Sequence, residues 1–213
     1  MEAKEQEQVL VYGAGAHAKV VLATIEAEGK HEIIGLLDDD ELKHGTTLYG
    51  YKVLGGRNKL RKLKNQEVSK VVLAIGDNVE RSELAQLLLK YGFQLVTTIH
   101  PKATLLRGSS IGPGTVILPN AYIGPDVTVG GGVIISVGVI VGHDSVIGSW
   151  AQLCPNASLG GQVKLGDYSF IGMGASVLSR VTLGRHIIVG AGAAVIEDLP
   201  DHVTAIGVPS RVK

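Results

Sequence analysis

Apolar residues recur along this chain with two different spacings, and the change between them divides it. Over residues 9–100, short apolar runs alternate with helix-like segments. "QVLVYG" reads as a strand, "AKVVLATIEAEG" as an amphipathic helix ending at Gly29, and "HEIIGLLDDD" as a second strand. "KVVLAIGDN" reads as a strand, "ERSELAQLLLKYG" as a helix stopped by Gly92, and "FQLVTTIHP" as a last strand. This alternation predicts a small parallel sheet with helices packed on it. Such a length suffices for half of a dinucleotide-binding fold, not a whole one.

From Leu105 the spacing becomes six. Leu105, Ile111, Ile117, Ile123 and every sixth residue onward to Val195, sixteen positions in all, are Ile, Leu or Val. With about a third of the chain aliphatic, chance would give such a run with odds on the order of one in ten million or less. Glycine often follows the aliphatic position, as at Gly112, Gly124, Gly142 and Gly160, and a small or β-branched residue often stands two before it. Side chains two apart in a strand share a face, and glycine tolerates backbone angles that other residues avoid. The pattern therefore predicts short strands separated by sharp turns, with glycine making the turn. Three such units close a triangular parallel β-helix with about 18 residues per coil. The expected boundary gives an α/β domain at residues 1–100 and a β-helix domain with a C-terminal tail at 101–213.

Composition narrows the classes. The chain has 20 Lys plus Arg against 20 Asp plus Glu, so nothing marks an electrostatic footprint for nucleic acid or an acidic membrane. Trp150 is the only tryptophan, so the core is expected to be Val, Ile, Leu and Ala. Cys154 is the only cysteine, which excludes an internal disulfide and fits a reducing compartment. The opening "MEAKEQEQ" is polar, and the longest uncharged stretch, residues 127–142, is glycine-rich and too short to span a bilayer. A cytoplasmic protein without membrane insertion is the expectation.

Two stretches carry candidate chemistry. Within "ISVGVIVGHDSVIG" the ionisable pair His143 and Asp144 interrupts an otherwise apolar run. A histidine on an exposed corner is often only solvated, but an imidazole beside a carboxylate is also what a general base near neutral pH requires. The other repeat histidine, His186, has no acidic neighbour. The second stretch, "YGAGAHA", follows a strand and opens a helix, where Gly13 and Gly15 allow close backbone approach to an anion. Ala18 replaces the third glycine of the usual fingerprint, and "LLDDD" places Asp38 where a ribose or sugar contact is expected. A nicotinamide-binding domain or a plain structural turn is the alternative there.

The hexapeptide repeat resembles the left-handed β-helix of the acyltransferase superfamily. With "VYGAGAHA" before it, "VGHDSVIG" within it and "AIGVPSRVK" at its end, the chain is similar over nearly its whole length to the sugar acetyltransferases of the sialic-acid and bacillosamine type. That resemblance implies a homotrimer with acetyl-CoA as co-substrate, lying between neighbouring β-helices, and no metal. It implies His143 as general base, strengthened by Asp144. It assigns Gly15, Ala16, His17, Asp38, Asp39 and Gly76 to a UDP-linked sugar, and Gln152, Met173 and Ala191 to acetyl-CoA. Near the C-terminus, Arg211 and Lys213 are candidates for the CoA phosphates, with a frayed basic tail as the alternative. The chain departs from the family pattern at Ala16, at Ser136 (often Asn) and at Gln152 (His in close relatives). The implied activity is N-acetylation of a UDP-linked amino-deoxy sugar for surface-glycan synthesis. The alternatives are O-acetylation of the sialic-acid type and a non-catalytic sugar-nucleotide-binding scaffold. A zinc hydratase would need three converging histidines, and only His143 and His186 lie in the repeats.

Overall fold

The computed structural model describes residues 6–66 and 68–213, so the first five residues of the polar opening stretch lie outside the described residues. The chain divides into two compact units, residues 1–100 and 101–213. In the first, β1 (Glu7–Tyr12), α1 (Ala16–Glu28) and β2 (His31–Leu37) follow one another. A two-residue-strand hairpin, β3 (Thr47–Leu48) and β4 (Tyr51–Lys52), and the short helix α2 (Leu60–Asn65) come next, then β5 (Lys70–Leu73), α3 (Asn78–Lys90) and β6 (Gln94–Leu95). The sheet order is β2-β1-β5-β6, all parallel. Chain direction along the sheet reverses between β1 and β5, the switch point where open α/β sheets bind ligands.

Local chemistry sets the helix ends. Gly29 adopts φ 68° at the C-cap of α1, a left-handed conformation that glycine enters without steric cost. Asp77 caps α3 by accepting from Val79 N–H and Glu80 N–H. The stretch "AIGDN", expected to continue a strand, is instead the loop and cap that lead into α3. The hairpin and α2 had no signal in the apolar spacing, because their strands are two residues long and only Leu60 of α2 is buried.

The second unit is a left-handed parallel β-helix. Two-residue strands pair at an offset of one 18-residue coil, as in Ile134↔Gln152 and Val141↔Leu159, and stack into three ladders that form the faces of a prism. The second residue of each strand, such as Val141, Ile147 and Leu153, points into the prism, as do the residues two before, such as Val139, Ser145 and Ala151; all six are buried. Buried hydroxyls are satisfied between coils: Ser145 Oγ donates to Gly160 O at 3.2 Å and accepts from Val163 N–H at 3.1 Å.

The expected role of the repeat glycines is corrected by the geometry. Every sixth residue from Gly108 to Gly192 has φ between 53° and 80°, and this left-handed position lies two residues beyond the recurrent glycine. It matches the second central residue of a type II turn. The glycine directly after each strand serves close coil stacking instead: a Cβ at Gly166 would lie 2.6 Å from Arg185 N, and one at Gly142 2.5 Å from Gly160 C. Gly, Asn and Asp fill most left-handed corners, but Trp150, Tyr168 and His186 share one edge of the prism, where the Tyr168 and His186 rings stack at 4.8 Å.

Candidate functional site

In the first unit a cleft of about 500 Å³ opens at the carboxyl ends of β1, β2 and β5. Tyr12, Asp38, Asp39, Arg57 and Ile75 line it, with Glu80, Glu83 and Lys90 along the α3 side. Two of the expected sugar residues, Asp38 and Asp39, are in this lining, and their carboxylates are already engaged. Asp38 accepts from Ala14 N–H at 2.8 Å, Asp40 N–H at 2.9 Å and Lys43 Nζ at 3.0 Å. Asp39 pairs with Arg57 Nη2 at 2.6 Å and accepts from Tyr12 Oη at 2.8 Å. Burial alone would raise both carboxyls, but these hydrogen bonds outweigh it and hold them below the usual carboxylate range. Asp38 therefore ties the glycine loop to the following strand as well as facing the cleft. Tyr12 and Arg57 were missed from the sequence: Tyr12 reads as a strand-end core residue, and Arg57 lies in a basic stretch without periodicity.

The glycine loop stands at the switch point. A Cβ at Gly13 would lie 2.5 Å from Ala74 O, so the loop after β1 packs directly on the loop after β5. Gly15 is the N-cap of α1 and provides no side-chain cap, which leaves the first N–H groups of the helix open to an anion. Gly15 and Ala16 are exposed there, and Gly76 is half-buried on the opposite loop. His17 is more enclosed: its Nε2 is buried without a partner among the described residues. Burial, with the nearby Arg81 guanidinium, pushes its imidazole down to about 4, so it is neutral at physiological pH.

In the second unit His143 and Asp144 form the turn between strands 140–141 and 146–147. Asp144 occupies a left-handed corner, φ 59°, a position that Asp tolerates for local reasons. Its Oδ2 lies 2.7 Å from His143 Nδ1. A carboxylate at that distance accepts the Nδ1 proton, fixes the tautomer, and leaves Nε2 as the free base. The ring is held from below by the next coil: a Cβ at Gly161 would lie 2.5 Å from His143 Nε2 and 2.9 Å from Cδ2. Both side chains remain more than half exposed, open to a substrate.

The remaining expected residues spread over the β-helix surface. Gln152 is the outward residue of its strand and half-buried, Met173 and Ala191 sit exposed at corners, and Arg211 and Lys213 are exposed on the C-terminal segment. Ser136 is buried. Cys154 is buried too, and burial pushes its thiol up, away from nucleophilic use. His186 occupies a different corner from His143 and lies between the Tyr168 and His202 rings. Among the described residues, no three His, Cys, Asp or Glu side chains are grouped to hold a metal ion.

Comparison with known proteins bears on both units. The family model described as PglD N-terminal domain matches residues 8–88. UDP-N-acetylbacillosamine N-acetyltransferase from Bacillus subtilis (strain 168) is 35% identical over 116 residues, which are 53% of this chain and 51% of the relative. The chain thus matches about half the length of that curated relative. Perosamine N-acetyltransferase from Caulobacter crescentus, solved as a histidine-to-asparagine mutant with CoA and GDP-perosamine, is 37% identical with a TM-score of 0.92, over 97% of this chain and 96% of that one. The acetyltransferase domain of PglB from Neisseria gonorrhoeae FA1090, solved with acetyl coenzyme A, is 30% identical with a TM-score of 0.90, over 98% and 100%.

Proposed function

Because the chain belongs to the PglD-type hexapeptide-repeat sugar acetyltransferases, a CoA-dependent family, we propose that it acetylates an amino group of a nucleotide-linked amino-deoxy sugar with His143 as general base. The observation that carries this reading is the His143 and Asp144 turn: tautomer fixed on one side, ring held flat on Gly161 on the other, Nε2 open. The acceptor amine attacks the thioester carbon of acetyl-CoA and its proton passes to His143 Nε2. The tetrahedral oxyanion is held by a peptide N–H of the repeats and collapses to the amide, and the departing CoA thiolate takes the proton back from the imidazolium. No covalent acyl-enzyme is needed, in keeping with the buried Cys154 and Ser136.

The nucleotide is assigned to the cleft of the first unit, with Gly15, Ala16, His17, Asp38, Asp39 and Gly76 around it. Gln152, Met173 and Ala191 are assigned to acetyl-CoA; an amide at Gln152 both donates and accepts. A UDP-linked sugar is the first reading, after the curated relative's name. A GDP-linked sugar is the second, since a similar structure that covers nearly the whole chain holds GDP-perosamine. The reading includes a homotrimer and a place in surface-glycan synthesis in the cytoplasm.

The test is CoA thiol release from acetyl-CoA with a panel of UDP- and GDP-linked amino sugars and sialic acid, for the wild type and His143→Ala. One amino sugar should drive release in the wild type, and His143→Ala should be slower by a hundredfold or more, the scale of general-base catalysis. Release driven by sialic acid would move the assignment to O-acetylation. A fully active His143→Ala would remove the base from this turn.

A further inference from the structure

Arg81 is the largest fully buried side chain described, 1% exposed, and the reaction outlined above gives it no part. It lies in the first turn of α3, and burial pushes its guanidinium down to about 10. Burying a cation is expensive, so its partners matter. Nη1 donates to Ile75 O at 3.1 Å, Gly76 O at 2.9 Å and Asp77 O at 3.3 Å, and Nη2 donates to Asn78 Oδ1 at 2.8 Å. The three carbonyls belong to the loop that follows β5, Asn78 opens α3, and Ile75 of the loop lines the nucleotide cleft.

A trans peptide sets its N–H opposite its C=O, and the peptides of this loop are trans. With the Ile75 and Gly76 carbonyls drawn onto Arg81, the N–H groups of Gly76 and Asp77 point the other way. Among the described residues neither amide has an acceptor. The first-turn amides of α3 are spent differently, since Val79 N–H and Glu80 N–H both go to Asp77 Oδ1. Across the switch point, the N-terminus of α1 is open behind Gly15.

We infer that Arg81 is a positioning residue for the diphosphate of the nucleotide sugar. Its planar fork turns two carbonyls inward, so that the Gly76 and Asp77 amides and the open amides of α1 face one another across a single diphosphate. An arginine suits this because Nη1 takes the carbonyls while Nη2, fixed beside it in one plane, takes Asn78 Oδ1, a two-nitrogen geometry that an ammonium does not reproduce. Amides hold the phosphates, and the charge of Arg81 lies behind them. This rests on the nucleotide-sugar reading of the cleft.

The experiment is calorimetric titration of UDP and of GDP into the wild type and Arg81→Lys, with acetyl-CoA affinity and melting temperature measured alongside. Whichever diphosphate binds the wild type should bind Arg81→Lys tenfold or more weakly, while acetyl-CoA affinity stays the same. Unchanged diphosphate affinity, or an equal loss for acetyl-CoA, would overturn the inference and leave the nucleotide-sugar reading intact. If neither diphosphate binds the wild type, that reading fails and the inference falls with it. The second measurement follows the Gly76 and Asp77 amide resonances of the wild type as UDP or GDP is added, and it decides the matter should Arg81→Lys fail to fold. Both amides should shift with the diphosphate and not with the nucleoside alone; amides that stay in place would overturn the inference.

Discussion

At the scale of single residues, His143 and Asp144 differ in how much of their presence the backbone already explains. Asp144 stands at a left-handed corner that Gly, Asn or Asp would fill in any case, so its identity alone says little. Its carboxylate 2.7 Å from Nδ1 is the part the turn does not require. Asp144→Asn keeps a residue suited to the corner while removing the charge. It should therefore leave melting temperature nearly unchanged and lower kcat by about tenfold, a part of the roughly hundredfold or more that the base itself contributes. An equal kcat would reduce Asp144 to a turn residue. Gly161→Ala tests the other side of the ring. A Cβ 2.5 Å from Nε2 must displace the imidazole, so kcat should fall while the KM for acetyl-CoA holds. His17 offers a test by pH. Its folded value is depressed to about 4 from an ordinary 6.5, so between these values the unfolded chain binds more protons and stability rises with pH. Acidification from 6.5 to 4 should cost up to about 3 kcal/mol through this group. In urea titrations across that range, His17→Gln should lose less stability than the wild type; parallel pH profiles would contradict the enclosure of this ring.

At the scale of elements, the six-residue period was legible because inward strand positions admit only aliphatic side chains, as at Val141, Ile147 and Leu153. The reason for the glycines was not legible, since a glycine needed for a positive φ and one needed for close stacking look alike in sequence. Gly166→Ala would press a Cβ to 2.6 Å from Arg185 N on the next coil, and should cost about 1–3 kcal/mol. Asn156→Gly, at a left-handed corner with φ 59°, should change stability by no more than about 0.5 kcal/mol. Denaturant midpoints for the two variants check this, and the opposite order would restore the turn explanation. In the α/β unit, the strands and long helices could be read from their apolar spacing. The segment from Asp40 to Gln66 could not, because it is organised by polar contacts such as Lys43 with Asp38 and Arg57 with Asp39, which leave no period. Arg81 escaped for a related reason: on a helix an arginine reads as a solvated residue unless the carbonyls it collects are seen.

At the scale of the whole molecule, the proposed function gives the α/β unit acceptor binding and the β-helix acetyl transfer. Among the described residues no helix is long and apolar enough to cross a membrane. The apolar Ile140, Val146 and Met173 remain exposed on the β-helix of a single chain, as expected of a subunit that packs against copies of itself. Sedimentation equilibrium should give three times the 22.3 kDa chain mass, whereas a monomer would leave these positions without a covering partner. The central claim is that this chain moves an acetyl group onto a nucleotide-linked amino sugar through His143. Mass spectrometry of the nucleotide sugar after incubation with acetyl-CoA tests it most directly. One added acetyl group is expected on the amino sugar with the wild type and, at equal time and protein, a hundredfold less or lower with His143→Asn; an equal yield from the two proteins would exclude His143 as the base.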